Sequence, residues 1–322
     1  MQRKYPFTAV LGWSVSRYEK FEACKRLYWY EYYARKWDQE VPSQKLDFLR
    51  SLTSTPLEIG NLVHDAIATQ LHRIRRGLAP ADCAEVLHYA GYLADRAVRE
   101  KTVLETYYGH QERIDAEDLK ERVIACLHRF FQSPRYRWLL EDPAHRKQGW
   151  VIEPNDFGEV RINGLKAYCK VDFLIPARGE FYIFDWKTGR ADREKHRKQM
   201  LGYVIYVQDL FGAPADRVRP VVVYLGDTCE EMMSRFGQAE LDEFSREVRS
   251  QTEAMYGYCE NIEENIPKPK DAFPPNIRRL CAYCNYQDRC GEGDPSGRLR
   301  KTAMPTRYPT PKGYSAPPYR SG

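Results

Sequence analysis

Three charged side chains interrupt two apolar runs in the second half of the chain. Asp172 breaks the run KVDFLI, and Asp185 and Lys187 end the run IFDWK just before a Thr-Gly pair. Side chains alternate between the two faces of a strand, so strands here would place Asp185 and Lys187 on the same face. A hairpin would then bring Asp172 beside them. Two carboxylates with a neighbouring lysine are suited to hold Mg²⁺ for phosphodiester hydrolysis.

The Asp-x-Lys spacing alone is not specific. Asp118 and Lys120 repeat it within a highly charged segment, where a solvated helix face explains both residues. Asp185 and Lys187 differ because apolar residues precede them, and a charged pair at the end of a buried strand is costly unless it is paired or used. A structural ion pair between Asp185 and Lys187 is therefore the alternative to a catalytic pair.

The hydrophobic period changes near Trp150 and separates a helical first half from a strand-rich middle. Apolar residues recur at helical spacing from Pro56 to Gly77. Alternating apolar residues from Leu165 to Ile175 predict one strand with Asp172 on its opposite face, and Asn163-Gly164 predicts a hairpin turn before it. Further predicted helices cover 81–140, 192–210 and 241–259, and further predicted strands cover 151–153, 160–162, 181–187 and 221–225.

The first predicted helix begins at a capping box formed by Ser16 and Glu19 and continues to Tyr33. It carries an unusually aromatic stripe, for which core packing is the simpler interpretation. Stacking of nucleic-acid bases on these rings is the alternative.

Other side chains with suitable chemistry lie on neighbouring predicted elements. Gln199 and Tyr203 are four residues apart and share one face of the helix after Lys187, a spacing that an ordinary amphipathic helix also gives. His64 could bind a metal through its imidazole or be a hydrogen-bonded core residue. Glu153 could add an oxygen ligand or hold a water, or it could be an exposed strand residue.

These motifs together resemble the PD-(D/E)XK nuclease superfamily. The flanking residues are similar to its RecB-like branch, which includes the AddB nuclease domain and the CRISPR-associated RecB-like exonucleases. That branch has a glycine and a histidine on an early helix, as in Gly60–His64, and a Gln-x-x-x-Tyr helix, as in Gln199–Tyr203. The matches come in the branch's order and cover residues 14 to 290. One departure is Cys169, where the branch usually has glycine three residues before the first aspartate.

The resemblance implies a fold and a set of roles. The fold would be an α/β restriction-endonuclease-like core with a central mixed sheet flanked by helices. Lys187 would position or activate the attacking water and offset charge on the scissile phosphate, and Gln199 and Tyr203 would hold the DNA strand or support the lysine. The metal, Mg²⁺ or Mn²⁺, would be held by His64, Asp172, Asp185 and the Trp186 carbonyl.

Three cysteines near the C-terminal end form a dense C-x₂-C-x₅-C cluster, Cys281, Cys284 and Cys290. Three thiolates need a fourth ligand to complete a zinc site or an iron–sulfur cluster, and the spacing does not separate these two cofactors. Cys24 and Cys259 are the candidate donors. The other cysteines are isolated and are predicted to be small core residues: Cys83, Cys126, Cys169 and Cys229.

The same resemblance implies a [4Fe–4S] cluster, because iron–sulfur members of the branch pair one N-terminal cysteine with three C-terminal ones. Cys24 would be the fourth ligand here, although the proline common after that cysteine is Lys25. Such a cluster would join the two ends of the chain and close a ring around the catalytic hairpin. Loss of the cluster would then disable the site from a distance. Zn²⁺ is the alternative occupant.

Composition sets the remaining expectations. With 322 residues, 43% hydrophobic and 30% charged, the chain can form one nuclease domain over residues 1–294. Residues 295–322 hold six prolines and six basic residues with no acid, which is typical of a disordered tail. No apolar run suits a membrane helix, and the start lacks a secretion signal, so we expect a cytoplasmic protein with no membrane partner. The net charge of +5 permits nucleic-acid binding without requiring it.

The sequence therefore favours a metal-dependent DNA nuclease, and specifically an exonuclease acting on single strands. A non-catalytic DNA-binding or assembly subunit with a structural zinc site is the main alternative. An RNA nuclease is a second one, because no residue can be assigned to reading a 2′-hydroxyl. Recombination, CRISPR and replication proteins are the classes of further partner that would suit such a nuclease.

Overall fold

The computed structural model describes residues 4–110, 113–141, 149–154 and 158–290. These residues group into two compact units. The unit that we call the sheet unit holds the described residues up to Tyr18 together with Thr55–Glu100 and Asp115–Pro267. The second, which we call the cysteine unit, holds Glu19–Ser54, Lys101–Ile114 and the described residues from Lys268 onward. The predicted tail 295–322 lies outside the described residues.

A five-stranded mixed sheet forms the centre of the sheet unit, in the order β1-β4-β5-β6-β7. Strands β5 and β6 are parallel and the other neighbouring pairs are antiparallel. The strands of this sheet are β1 (Val151–Ile152), β4 (Phe173–Ala177), β5 (Glu180–Lys187), β6 (Val218–Tyr224) and β7 (Glu230–Met233). All seven residues of β6 are buried, which is typical of a central strand covered on both faces. The predicted α/β fold with a central mixed sheet flanked by helices is confirmed.

Helices cover the sheet and carry part of the site. In the sheet unit they are α5 (Thr55–Arg75), α6 (Cys83–Glu100), α8 (Ala116–Gln132), α9 (Pro134–Glu141), α10 (Arg193–Phe211) and α11 (Gln238–Tyr256). Helix α10 begins where the Asp192 side chain accepts from the Lys195 N–H, and it ends at Gly212 in the left-handed conformation. It forms the crossover that the parallel pairing of β5 and β6 requires.

The cysteine unit is built mainly from short helices. They are α2 (Lys25–Tyr32), α3 (Ala34–Trp37), α4 (Ser43–Ser51), α7 (Leu104–Tyr107) and the 3₁₀ turns Lys270–Ala272 and Arg279–Tyr283. Helix α1 (Val15–Ala23) contains residues assigned to both units. None of the helices in the described part of the chain is long and apolar enough to cross a membrane.

The prediction of one strand from Leu165 to Ile175 is wrong. Strand β3 (Leu165–Tyr168) pairs only with β2 (Glu159–Ile162), and β4 begins five residues later in the central sheet. Between them the Cys169 N–H donates to the Gly158 carbonyl at 2.9 Å, so the chain leaves one sheet before it enters the other. The predicted turn at Asn163-Gly164 is confirmed, with both residues at positive φ, as a type I′ hairpin requires.

The first predicted helix is also interrupted. It starts at Val15 with the Ser14 hydroxyl accepting from the Arg17 N–H at 3.1 Å, so Ser14 rather than Ser16 is the cap. It ends at Ala23, and Cys24 then caps α2 in an extended conformation. Strands β7, β8 (Cys259–Asn261) and β9 (Ile266–Pro267) were not predicted.

Candidate active site and cysteine pocket

The pairing of β4 with β5 brings two predicted acids to one end of a hairpin. Phe173 pairs with Phe184, so Asp172, just before β4, lies beside the end of β5. The Trp186 N–H donates to Asp172 Oδ2 at 3.0 Å, and the Asp172 carbonyl accepts from the Glu153 N–H at 2.8 Å. Asp172 is therefore fixed by the backbone on both sides.

Asp185 and Lys187 form an ion pair on the face of β5 that α10 covers. Lys187 Nζ lies 2.6 Å from Asp185 Oδ2, and the Asp185 side chain is only 1% exposed. The Tyr203 hydroxyl donates to Asp185 Oδ1 at 2.9 Å, and Gln199 Nε2 donates to that hydroxyl at 2.7 Å. The one-turn spacing of Gln199 and Tyr203 on α10 thus produces a hydrogen-bonded chain that ends on the buried carboxylate.

Helix α5 contributes His64, whose two ring nitrogens both face oxygen atoms. Nδ1 lies 2.9 Å from Glu153 Oε1 and 3.7 Å from Asp172 Oδ2, and Nε2 lies 2.9 Å from the Trp186 carbonyl. Carboxylate and carbonyl oxygens are acceptors, so this arrangement is satisfied by an imidazolium that donates from both nitrogens. Glu153 reaches His64 from a backbone conformation with φ of 37°, which is unusual for a residue other than glycine.

The carboxylates and the imidazole shift each other's protonation. Burial opposes the charged form of His64, but the charges of Asp172 and Glu153 raise its pKa to about 9. Burial and the neighbouring Asp185 raise the pKa of Asp172 to about 7. Burial acts against the charged form of Glu153, yet the hydrogen bond from His64 lowers its pKa. Burial and the Asp185 charge raise the pKa of the Tyr203 hydroxyl well above its usual range.

This constellation, which we call the carboxylate site, fits a divalent cation. Single ligand atoms of His64, Glu153 and Asp172 all lie within 4.8 Å of one another. Asp185 Oδ2 is buried and accepts no well-formed hydrogen bond, although Lys187 is close. A hard cation favours such oxygen donors and one imidazole. The carboxylates raise the pKa of His64, and the resulting imidazolium balances part of their negative charge, as a bound cation would.

The cysteine unit contains a second group of candidate ligands, around a cavity of about 270 Å³. All four cysteines of the predicted cluster line this cavity: Cys24, Cys281, Cys284 and Cys290. Cys259 is not among the lining residues. It is a buried residue of the sheet unit with its sulfur 3.9 Å from Asn265 Oδ1. Of the two candidate donors, Cys24 thus lies with the three C-terminal cysteines and Cys259 does not. We call this group the cysteine pocket.

Backbone amides point at the sulfurs of the cysteine pocket. Cys24 Sγ accepts from the N–H groups of Asn276 at 3.3 Å and Leu27 at 3.5 Å. The N–H of Arg278 donates to Cys281 Sγ at 3.4 Å, and that of Tyr286 donates to Cys284 Sγ at 3.5 Å. Burial and the other three thiols raise the pKa of Cys284 to about 12, so the group needs a cation to become thiolate.

Four cysteine side chains that line one cavity suit a cofactor bound by four thiolates, either a tetrahedral zinc ion or an iron–sulfur cluster.

Comparison with known proteins agrees with the fold. A family model of the PD-(D/E)XK nuclease superfamily matches residues 12–291. The chain belongs to the PD-(D/E)XK nuclease superfamily. Nucleases of this superfamily use Mg²⁺ or Mn²⁺ and hydrolyse phosphodiester bonds, so membership implies a metal-dependent nuclease with a DNA substrate.

Among solved structures, the crystal structure of SSO0001 is similar to 62% of this chain and 81% of its own chain. The identity is 15% and the TM-score is 0.27, a value too low to inform fold or function. A search of curated proteins returns no match.

The predicted site residues divide into two groups in the structure. Those that meet in the sheet unit are His64, Glu153, Asp172, Asp185, Trp186, Lys187, Gln199 and Tyr203. Within this group Glu153, predicted only as an additional ligand, is closer to His64 than Asp172 is, whereas Asp185 turns toward Lys187 and Tyr203. Cys169 is accommodated because Gly202 faces it; a Cβ at Gly202 would lie 3.1 Å from the Cys169 sulfur.

Sequence reasoning missed two polar residues beside the carboxylate site, His196 and Tyr224, which contact each other. The signal for His196 is its position three residues before Gln199 and seven before Tyr203, on the same helix face. The prediction that Cys229 is a core residue is wrong, because Cys229 is exposed. Cys126 and Cys169 are buried, as predicted.

Proposed function

We propose that this protein is a Mg²⁺- or Mn²⁺-dependent exonuclease of the RecB-like branch that hydrolyses single-stranded DNA. The observation that supports it best is the convergence of Asp172, Asp185, Lys187 and His64 at the end of one hairpin. A structural ion pair would explain Asp185 and Lys187 alone. It would not explain a second buried acid and an imidazole facing the same space.

The ligands of the proposed cation are His64, Asp172, Asp185 and the Trp186 carbonyl, with Glu153 as a further ligand or as the partner that orients His64. Bound there, a divalent cation would act as a Lewis acid toward the scissile phosphate. Glu153 accepts from His64 Nδ1, and such outer partners fix the orientation of a ligating imidazole.

The remaining residues would manage charge and position. Lys187 is the last residue of β5, is ion-paired with Asp185 and is partly exposed. From there its ammonium can orient the attacking water and offset negative charge on the phosphate. Tyr203 holds Asp185 Oδ1, which leaves Oδ2 for the cation or the lysine. Gln199 fixes the direction of the Tyr203 hydroxyl and has a further amide oxygen with which to contact the DNA strand.

We propose a [4Fe–4S] cluster in the cysteine pocket, bound by Cys24, Cys281, Cys284 and Cys290, within a single nuclease domain of residues 1–294. Four cysteines line one cavity and amide N–H groups are directed at their sulfurs, which supports a cofactor held by four thiolates, and the resemblance to the iron–sulfur members of the branch favours the cluster over zinc. Its role would be structural, since it would tie sequence-distant segments together. A cofactor with four cysteine ligands needs those thiols reduced, which suits a compartment such as the cytoplasm.

The test is an assay on DNA labelled at the 5′ or the 3′ end, in linear single-stranded, linear double-stranded and circular single-stranded forms. Protein purified without oxygen should degrade linear single strands in Mg²⁺ or Mn²⁺, release short products from one end, and leave circles intact. Cleavage of circles would replace the exonuclease assignment with an endonuclease. Binding of DNA without any cleavage would favour the non-catalytic alternative, and matched RNA strands test the preference for DNA. Recombination, CRISPR or replication proteins remain the proposed classes of further partner.

A further inference from the structure

His196 and Tyr224 form a buried polar pair to which the proposed mechanism gives no role. His196 is 7% exposed and Tyr224 is 3% exposed. His196 Nδ1 lies 3.0 Å from the Tyr224 hydroxyl, and the rings are 5.5 Å apart. Burial lowers the pKa of His196, and the nearby Lys187 charge lowers it further, so the imidazole is neutral at neutral pH. Two apolar side chains would bury the same area without desolvating a hydroxyl and an imidazole.

The pair lies beside the two residues that carry the proposed chemistry. Tyr224 is the register partner of Lys187 in the parallel pairing of β5 and β6, just as Val222 is the partner of Asp185. Register partners on adjacent strands share a face and lie about 4.8 Å apart across the sheet. Tyr224 therefore flanks Lys187 on the face that α10 covers.

Helix α10 thus makes two polar contacts with one face of the sheet. Tyr203 donates to Asp185 on β5, and His196 contacts Tyr224 on β6. The two helical residues are seven apart, which is two turns and the same side of the helix. Apolar packing holds α10 against the sheet, and two directional polar contacts to neighbouring strands fix its rotation about its axis more closely than one would.

We propose that His196 and Tyr224 are positioning residues for the reaction. They hold α10 so that Gln199 and Tyr203 stay directed at Asp185, and they keep Lys187 beside that carboxylate. Both residues act through others, since His196 belongs to α10 and Tyr224 lies beside Lys187. This inference rests on the proposed nuclease function.

The test uses Tyr224→Phe and His196→Leu, which remove the contact from either side, and the double variant. Single-turnover cleavage of saturating single-stranded DNA should fall about tenfold in each single variant, as expected for the loss of one oriented hydrogen bond. The double variant should be no slower than the slower single variant. Binding of DNA should be unchanged, and the melting temperature of each single variant should fall by only a few degrees, because one buried polar group loses its partner. His196→Asn, which puts an amide near the Nδ1 position, should restore most of the rate.

Tyr182→Phe is the matched control, because it removes a hydroxyl that donates to Glu180 at 3.0 Å from the same strand as Lys187. It should cleave at the wild-type rate. Wild-type rates in Tyr224→Phe and His196→Leu would overturn the inference. So would losses that multiply in the double variant and follow its melting temperature, since these indicate only a structural role.

A readout without catalysis separates this inference from the nuclease proposal. In the metal-free protein, amide hydrogen exchange over Arg193–Tyr203 should be faster in Tyr224→Phe than in wild type or Tyr182→Phe. Wild-type protein that cuts no DNA would refute the proposed function while this exchange still tests the role of the pair. Unchanged exchange in Tyr224→Phe would overturn the positioning role itself.

Discussion

The carboxylate site and the cysteine pocket differ in the elements that position their candidate ligands. The candidate ligands of the carboxylate site come from the sheet and from one long helix: Glu153 follows β1, Asp172 precedes β4, Asp185 lies on β5 and His64 on α5. The pairing of the strands therefore positions most of them. The cysteine pocket takes its ligands from the cap of α2 and from the 3₁₀ turn Arg279–Tyr283 and the residues after it, and its sulfurs are held by local N–H groups. Strand pairing thus makes the carboxylate site rigid. The cysteine pocket has little regular structure to hold its shape without a cofactor.

The two sites also differ in the chemistry of their ligands. Oxygen donors and one imidazole select a hard cation that can exchange, whereas four thiolates select a soft cofactor that stays bound. Changes in one unit should therefore affect one kind of metal. The four predictions below use this separation, from the largest expected effect to the smallest.

Lys187→Met should reduce DNA cleavage by roughly 10²–10³-fold, because it removes the cation proposed to offset transition-state charge. The bound iron should not change. Single-turnover rates and iron analysis of the same preparation measure both effects. Lys120→Met is the matched control, since Lys120 belongs to the other Asp-x-Lys pair and forms ion pairs with Asp95 and Glu117 on charged helices. Equal rates for wild type and Lys187→Met would remove the lysine from the mechanism.

Cys284→Ser should lose most of the iron and the visible absorbance of the protein, because it removes one of the four proposed thiolate ligands of the cluster. Iron and acid-labile sulfide per chain are the measurements. Cys229→Ser changes an exposed thiol and should retain the cofactor. If zinc rather than iron is found in anaerobically purified wild type, the cluster proposal fails and the zinc alternative stands.

Asp288→Asn should lower the free energy of unfolding by about 3 kcal/mol, because it removes the negative charge of an ion pair whose lysine is buried. Lys45 is 2% exposed, its Nζ lies 3.4 Å from Asp288 Oδ2, and it also donates to the Tyr107 hydroxyl. Chemical denaturation measures the change. Asp47→Asn, which breaks an exposed pair with Arg35, should cost less than about 1 kcal/mol. Equal costs for the two variants would show that the buried pair does not stabilise the segment between Cys284 and Cys290.

Affinity of the metal-free protein for Mn²⁺ should rise about tenfold per pH unit between pH 7 and 9, because the cation must displace the His64 proton. The pKa of His64 is raised from 6.5 to about 9 on folding. Its proton therefore stabilises the metal-free fold fully below pH 6.5, and this stabilisation is lost as the pH rises through 9. Calorimetry in buffers of different ionisation enthalpy measures affinity and proton release together. An affinity independent of pH would place the cation away from His64.

Much of the sheet unit could be predicted from local patterns, because helices and strands of the core have distinct hydrophobic periods. The interruption between Tyr168 and Phe173 could not, since apolar residues continue to alternate through it and only the Cys169 hydrogen bond to Gly158 shows the break. Strand β7 has no buried residue and its sequence, EEMM, shows no apolar alternation, so it forms through pairing with β6.

The residues of the candidate site also differ in whether the sequence reveals them. Asp172, Asp185 and Lys187 stand out because charge in an apolar strand is costly. Tyr224 does not stand out, because its partners are 28 residues away on α10 and across the sheet on β5. Such contacts depend on register and crossover geometry, which local sequence does not encode.

The central claim is that the carboxylate site performs metal-dependent cleavage, and Asp185→Asn tests it most directly. This variant keeps the shape of the side chain and an acceptor for Tyr203 but removes the charge beside Lys187. The measurement is the single-turnover cleavage rate of linear single-stranded DNA in Mn²⁺, with wild type and Asp185→Asn prepared side by side and their iron contents equal. Cleavage by wild type that EDTA abolishes and that falls at least about 10²-fold in Asp185→Asn is the predicted result. Cleavage that persists in EDTA, or that Asp185→Asn leaves unchanged, would contradict it.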